Sequence, residues 1–321
     1  MPVLRSGTAI ALAVVLVLLA LLPAWVAWAH TPFYLDLASR LMILAIAAVS
    51  LNLILGHGGM ISFGHAAYLG IGAYCVGIPA YYGIHDGFLQ FLLAIACSAA
   101  FALVTGLICL RTRGVYFIMI TMAFSQMVFF AFVSIEEYGG DDGLVIDMRS
   151  RFAGLGDIEN ATALYYFIFA SLLASLYLVH RIMRSRFGMV IEGIRGNERR
   201  MQAIGYHTFR YRLACYVIAG ALCGYAGALL GNFTNFISPE MMDWTASGEL
   251  IFMVVLGGTG SLTGSVLGAA AFVLLEEWLS AVTIYWHFLF GALLITVVLF
   301  ARNGIAGMID RLGRQAWRRS S

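Results

Sequence analysis

The spacing of its charges constrains this chain more than any other feature. Across 321 residues, uncharged runs cover 6–35, 41–85, 87–110, 114–135, 160–180, 213–239, 250–275 and 278–301. A helix rises 1.5 Å per residue and the hydrocarbon core of a bilayer is about 30 Å thick, so about 20 apolar residues are enough to cross it. Every run reaches that length, and the 45-residue run after Arg40 is long enough for two spans parted by the glycine-rich segment around Gly56 to Gly64. The expectation is an all-α polytopic integral membrane helical bundle, one domain over 1–321, with about nine or ten membrane segments, some broken or re-entrant.

Composition agrees. The chain is 61% hydrophobic and 11% charged, against roughly 25% charged for soluble domains. All 19 basic residues are Arg and there is no Lys. A phosphate-cradling Walker A loop needs a lysine ammonium, as does any Schiff-base chemistry, so any ATP that drives this protein is hydrolysed by another chain. A net charge of +2 is too mild for a nucleic-acid partner; lipid is the expected surroundings. The five cysteines, Cys75, Cys97, Cys109, Cys215 and Cys223, show no C-x-x-C spacing and read as packing residues. Neither a cofactor nor a metal site is expected.

Basic residues near span ends stay cytoplasmic. With the N-terminus inside, the cytoplasmic segments hold 16 Arg and 3 acidic residues, and the other side holds 3 Arg and 14 acidic residues. Loop 181–212 is then cytoplasmic and loop 135–160, with Glu136, Glu137, Asp141, Asp142, Asp147, Asp157 and Glu159, is periplasmic. Both termini fall inside. Parity requires residues 246–284 to cross twice or re-enter, and a half-helix over Ala246–Leu256 followed by a full span fits the glycines that interrupt the stretch. Irregular backbone at membrane depth is tolerated where it faces protein or a water-filled cavity. The N-terminal run has two readings: a first span with an interfacial tryptophan belt, or a secretory leader ending at Ala27-Trp28-Ala29.

Three segments carry more than lipid contact. In LGHGGMISFGHAAYLGIGAY, Leu55 to Tyr74, six of twenty residues are Gly and the polar side chains are His57, Ser62 and His65. It reads either as a turn followed by a tight helix interface through Gly64, Ala66, Ala67, Gly70 and Ala73, or as part of the path or its gate. In FGMVIEGIRGNERRMQAIG, Asn197 can cap a helix of about two turns, Glu198 favours its first turn and Gly205 its end. Met201 and Ile204 share one face, with Arg199, Arg200 and Gln202 elsewhere. Eight Arg in loop 181–212 either enforce orientation or build a protein-docking element. The third segment, VLGGTGSLTGSVLG from Val255, contributes Gly257, Gly258, Thr259, Gly260 and Ser261 as path or gate candidates. It echoes the first, with Gly56 matching Gly257 and Gly59 matching Gly260.

Over residues 40–305 these segments resemble the inner-membrane permease subunits of branched-chain amino acid ABC transporters, the M-type partner most closely. The resemblance rests on LNLILGHGGMISFGHAAYLGIGAY from Leu51, IRGNERRMQAIG from Ile194, and VLGGTGSLTGSVLGAA from Val255. It implies that loop 181–212 couples to ATPase subunits, with Arg195, Asn197, Glu198, Ala203 and Gly205 matching the family's element and Arg199, Arg200, Met201 and Ile204 beside them. Gly196 and Arg200 depart from the family's usual residues. The implied partners are a second permease, two ABC ATPases and a periplasmic substrate-binding protein, in a bacterial inner membrane. Branched-chain or related hydrophobic amino acids are the implied cargo, with urea or short amides as the variant within the family. An ion- or proton-coupled secondary transporter is the rival, weakened because the uncharged runs leave almost no ionisable residue deep in a span; His57, His65 and Glu249 are read as lying near a face. A membrane enzyme lacks every motif it would need.

Overall fold

A computed structural model describes residues 6–29, 31–146, 148–152, 160–300 and 304–309. Among them are α1 (Ser6–Ala29), α2 (Phe33–Asn52), α3 (His65–Tyr81), α4 (Gly87–Cys109), α5 (Val115–Val133), α6 (Ala161–Arg184), α7 (Arg186–Gly196), α8 (Glu198–Ala203), α9 (Thr208–Thr234), α10 (Trp244–Gly257), α11 (Leu262–Val282) and α12 (Trp286–Phe300). Seven helices are long and apolar enough to cross a bilayer; α3, α10 and α12, at 17, 14 and 15 residues, are shorter. The chain is an all-α, multi-pass membrane bundle. Among the described residues the only strands are β1 (Leu144–Val145) and β2 (Phe236–Ile237), paired antiparallel.

Two boundaries differ from the charge-gap reading. Asp36 and Arg40 lie within α2, and Glu276 and Glu277 within α11. Arg40 bonds both oxygens of Glu276, at 2.8 and 3.1 Å, tying α2 to α11. A paired charge costs far less inside a bundle than a lone one, so neither residue has to mark a helix end. At its other end α2 runs on as a π-helical turn, Leu53–His57, before the chain breaks. The wider i→i+5 turn inserts a bulge that α-helical glycine statistics do not foresee.

The centre is built by small residues on α3, α4 and α9. A β-carbon on Gly72 would fall 1.9 Å from the Gly224 carbonyl oxygen, and one on Gly227 1.8 Å from that of Leu69. Backbone approach this close replaces the hydrophobic driving force that lipid does not supply. Cys109, Cys215 and Cys223 are buried here and Cys75 is half-buried; Cys97 is exposed on α4, unlike the packing role expected of it.

The broken segment appears as expected. Helix α10 ends at Gly257 and α11 starts at Leu262, packed so closely that a β-carbon on Gly257 would fall 1.8 Å from the Gly264 carbonyl oxygen. In loop 135–160 two short 3₁₀ turns, Glu136–Tyr138 and Gly140–Asp142, precede β1. Its pairing with β2 places that loop and the segment between α9 and α10 at one end of the bundle. Asp147, Asp157 and Glu159, Arg5 and the arginines from Arg302 onward lie outside the described residues.

Candidate functional site

The arginine-rich segment is two helices rather than one. Helix α7 buries Val190, Ile191 and Ile194 against the bundle; their i, i+1, i+4 spacing was the signal for it, overlooked beside the denser glycines. At α8 the Asn197 side chain accepts from the Arg200 N–H at 3.0 Å. At its far end the N–H of Gly205 bonds the Gln202 carbonyl and that of Tyr206 the Met201 carbonyl, a Schellman closure with Gly205 at φ +97°. Met201 and Ile204 part company: Met201 lies over Gly193 of α7, while Ile204 is 65% exposed. Arg199, Arg200 and Ala203 are also exposed.

Glu198 faces inward. Its carboxylate accepts from Thr208 at 3.0 Å and lies 3.2 Å from Arg113 and 3.6 Å from Arg212. It therefore clamps α8 to α9 and to the turn between α4 and α5. Thr208 also accepts from Gln202, so both ends of α8 are fastened and its outer face is left free.

The two glycine turns meet beneath this unit. Asn52, fully buried in α2, accepts from the Gly260 N–H at 2.9 Å and donates to the Ser261 carbonyl at 3.1 Å. Gly56 lies so close that a β-carbon would stand 1.9 Å from Asn52 Oδ1 and 2.4 Å from the Gly260 nitrogen. The Arg195 guanidinium donates to the Gly56 carbonyl, and His57 Nδ1 is 3.2 Å from Glu192 Oε1. A chain of contacts thus runs from α7 through Gly56 and Asn52 to the α10–α11 turn. Sequence reading missed Asn52, Glu192, Arg113 and Arg212; an Asn inside an apolar helix was the one local cue, since a buried amide in a span needs partners.

Of the path candidates, Gly257 and Gly258 are buried, Thr259 is exposed, and Gly260 and Ser261 are half-buried. Ser261 caps α11 by accepting from Gly264 N–H at 3.1 Å. Ser62 accepts from Gly64 N–H at 3.3 Å. His65, fully buried, has Nε2 2.8 Å from Ser50 Oγ, while its Nδ1 and the Nε2 of His57 have no hydrogen-bond partner among the described residues. The structure gathers Gly260 and Ser261 with the arginine-rich segment and sets Ser62 and His65 deeper in the packing.

None of the eight lines the main cavity, of about 640 Å³, which is bounded by α2, α3, α5, α9 and α10 and by the segment after β2. Arg40, Glu240, Asp243 and Glu249 contribute its charges. Burial alone pushes the Asp243 carboxyl up, but hydrogen bonds from Thr245, Gln126 and two backbone N–H groups outweigh it and hold the group below its ordinary value. A smaller cavity of about 300 Å³, with Arg113, Arg195, Glu198 and Arg212 in its wall, adjoins the arginine-rich unit.

The described residues form a multi-pass bundle with a broken helix, a cavity of about 640 Å³ walled by five helices, and a short exposed helix fastened beside the glycine turns. The family described as "Branched-chain amino acid transport system / permease component" matches residues 33–298, and the chain belongs to it. The high-affinity branched-chain amino acid transport system permease protein LivM of Salmonella typhimurium is 29% identical, over 91% of this chain and 75% of its own. LivH of Escherichia coli K12 is 28% identical, over 82% of this chain and 91% of its own. The galactose/methyl galactoside import permease MglC of the same organism is 25% identical over 65% of each chain. No solved structure matches.

Proposed function

We propose that this chain is one of two permease subunits of an ATP-driven importer in a bacterial inner membrane and forms half of a pathway for branched-chain or related hydrophobic amino acids. Both termini and loop 181–212 face the cytoplasm, where two ATPase subunits dock; a periplasmic binding protein delivers cargo to the end carrying β1 and β2. The second permease is of the kind represented by LivH, to which this chain is also similar.

One observation carries the reading. Helix α8 turns Ile204, Arg199 and Arg200 outward, while its neighbour α7 holds the junction of the two glycine turns through Arg195. A six-residue helix is marginal alone in water, and this one is fastened at both ends with its outer face left free, which suits a docking element. Movement of the ATPases would press α8, shift Gly56, and through Asn52 displace the α10–α11 turn that closes the inner end of the path.

The test is reconstitution of the chain with its second permease, ATPases and binding protein in vesicles. ATP-dependent leucine uptake is expected, and Ile204→Asp should release the ATPases while the permease pair stays assembled. Retained ATPases with undiminished uptake in that variant contradict the docking role, and uptake driven by a proton gradient without ATP contradicts the importer.

A further inference from the structure

The main cavity has a charge pattern that neither the fold nor the family match explains. Measured along the helices at 1.5 Å per residue, Glu249 lies about 12 Å from the Gly257 turn and Arg40 about 18 Å from Asn52. From the opposite ends, Glu249 lies about 7.5 Å from the start of α10 at Trp244 and Arg40 about 10 Å from the start of α2 at Phe33, so both sit in the halves of their helices away from the glycine turns. Arg40 spends one nitrogen on Glu276, leaving its other N–H donors available. Asp243 has both oxygens occupied, by Gln126 and Thr245. Glu249, half-buried and close enough to Arg40 and Glu276 to feel both charges, has no hydrogen-bond partner among the described residues. A half-buried carboxylate without a hydrogen-bond partner is costly to keep uncompensated. Around it the wall is aliphatic, with Leu44, Leu250 and Met253.

We propose that this cavity is a cargo site of the permease itself, built for a zwitterion: the ammonium pairs with Glu249, the carboxylate with the free donors of Arg40, and an aliphatic side chain lies against Leu44, Leu250 and Met253. The inference rests on the importer reading and narrows its cargo. Carboxylates outnumber the guanidinium three to one in the lining, so a monoanionic acid without an ammonium meets net repulsion. Urea and short neutral amides can hydrogen-bond to both groups but bring no positive charge to balance Glu249. Only a solute bearing both charges satisfies both walls, and the cavity adds a second selection after the binding protein.

Two measurements on the complete complex test this. Glu249→Gln preserves shape and removes the charge; leucine uptake at subsaturating concentration should fall at least tenfold, with ATP hydrolysis within twofold of wild type. Glu249→Asp should recover part of the uptake. In the second, labelled leucine is bound to the solubilised complex without its binding protein and competed with isoleucine or with 4-methyl-2-oxopentanoate, the keto acid lacking the ammonium. Isoleucine should displace it and the keto acid should not. Wild-type leucine uptake matched by Glu249→Gln, equal loss of uptake and ATP hydrolysis, or equal competition by the keto acid removes the cargo site alone. A wild-type complex that takes up no leucine removes the importer reading and this inference with it.

Discussion

The two glycine turns, residues 58–64 and 257–261, share a plan and differ in how they are held. Each breaks a membrane helix and each has its matched glycine in the left-handed region, Gly59 at φ +68° and Gly260 at φ +80°. The first is entered through a π-turn and fastened to α7 twice, by Arg195 and by His57. The second has no hydrogen bond of its own to the arginine-rich helices among the described residues and hangs on Asn52. Under the proposed function, the first turn would receive a push from α7 and α8 directly, and the second would be moved at one remove through Asn52.

Gly56→Ala should have the largest effect on both turns. Its β-carbon has no room between Asn52 and Gly260, and driving the turns apart should cost about 4 kcal/mol, seen as loss of folded protein on thermal unfolding in detergent. Asn52→Ala keeps the turns in place but strands the Gly260 N–H and the Ser261 carbonyl. Two buried unsatisfied groups amount to about 3 kcal/mol, measurable as a lowered unfolding midpoint with α7 still attached by cross-linking.

Gly59→Ala and Gly260→Ala probe the two turns separately. Each forces a β-carbon into left-handed backbone at about 1–2 kcal/mol, but at Gly59 the new carbon also meets the Arg195 side chain at 3.1 Å, against 3.4 Å or more at Gly260. The Gly59 variant should therefore lose more stability, and equal losses would remove the asymmetry. The smallest effect belongs to Asn197→Ala, where loss of the cap should cost about 1 kcal/mol and leave both turns unmoved, as read by local hydrogen exchange of α8.

Much of the fold could be read from charge spacing, because lipid forces backbone satisfaction within each segment and leaves few shapes. The same reading misplaced the ends of α2 and α11, since Arg40 and Glu276 cancel each other across 236 positions and local counting sees two isolated charges. Helix α8 was legible because Asn197 and Gly205 are local signals. Even the echo between the two turns was visible, but not that they touch: Asn52 and Gly260 are 208 positions apart. The cavity was invisible for the same reason, with walls drawn from five helices and no motif to mark them.

The most direct measurement is the number of solute molecules taken up per ATP hydrolysed by vesicles carrying the complex with Arg195→Ala. If the push reaches the path through Gly56, that ratio should fall at least tenfold while hydrolysis continues within twofold of wild type. An unchanged ratio would mean that α7 does not move the turns.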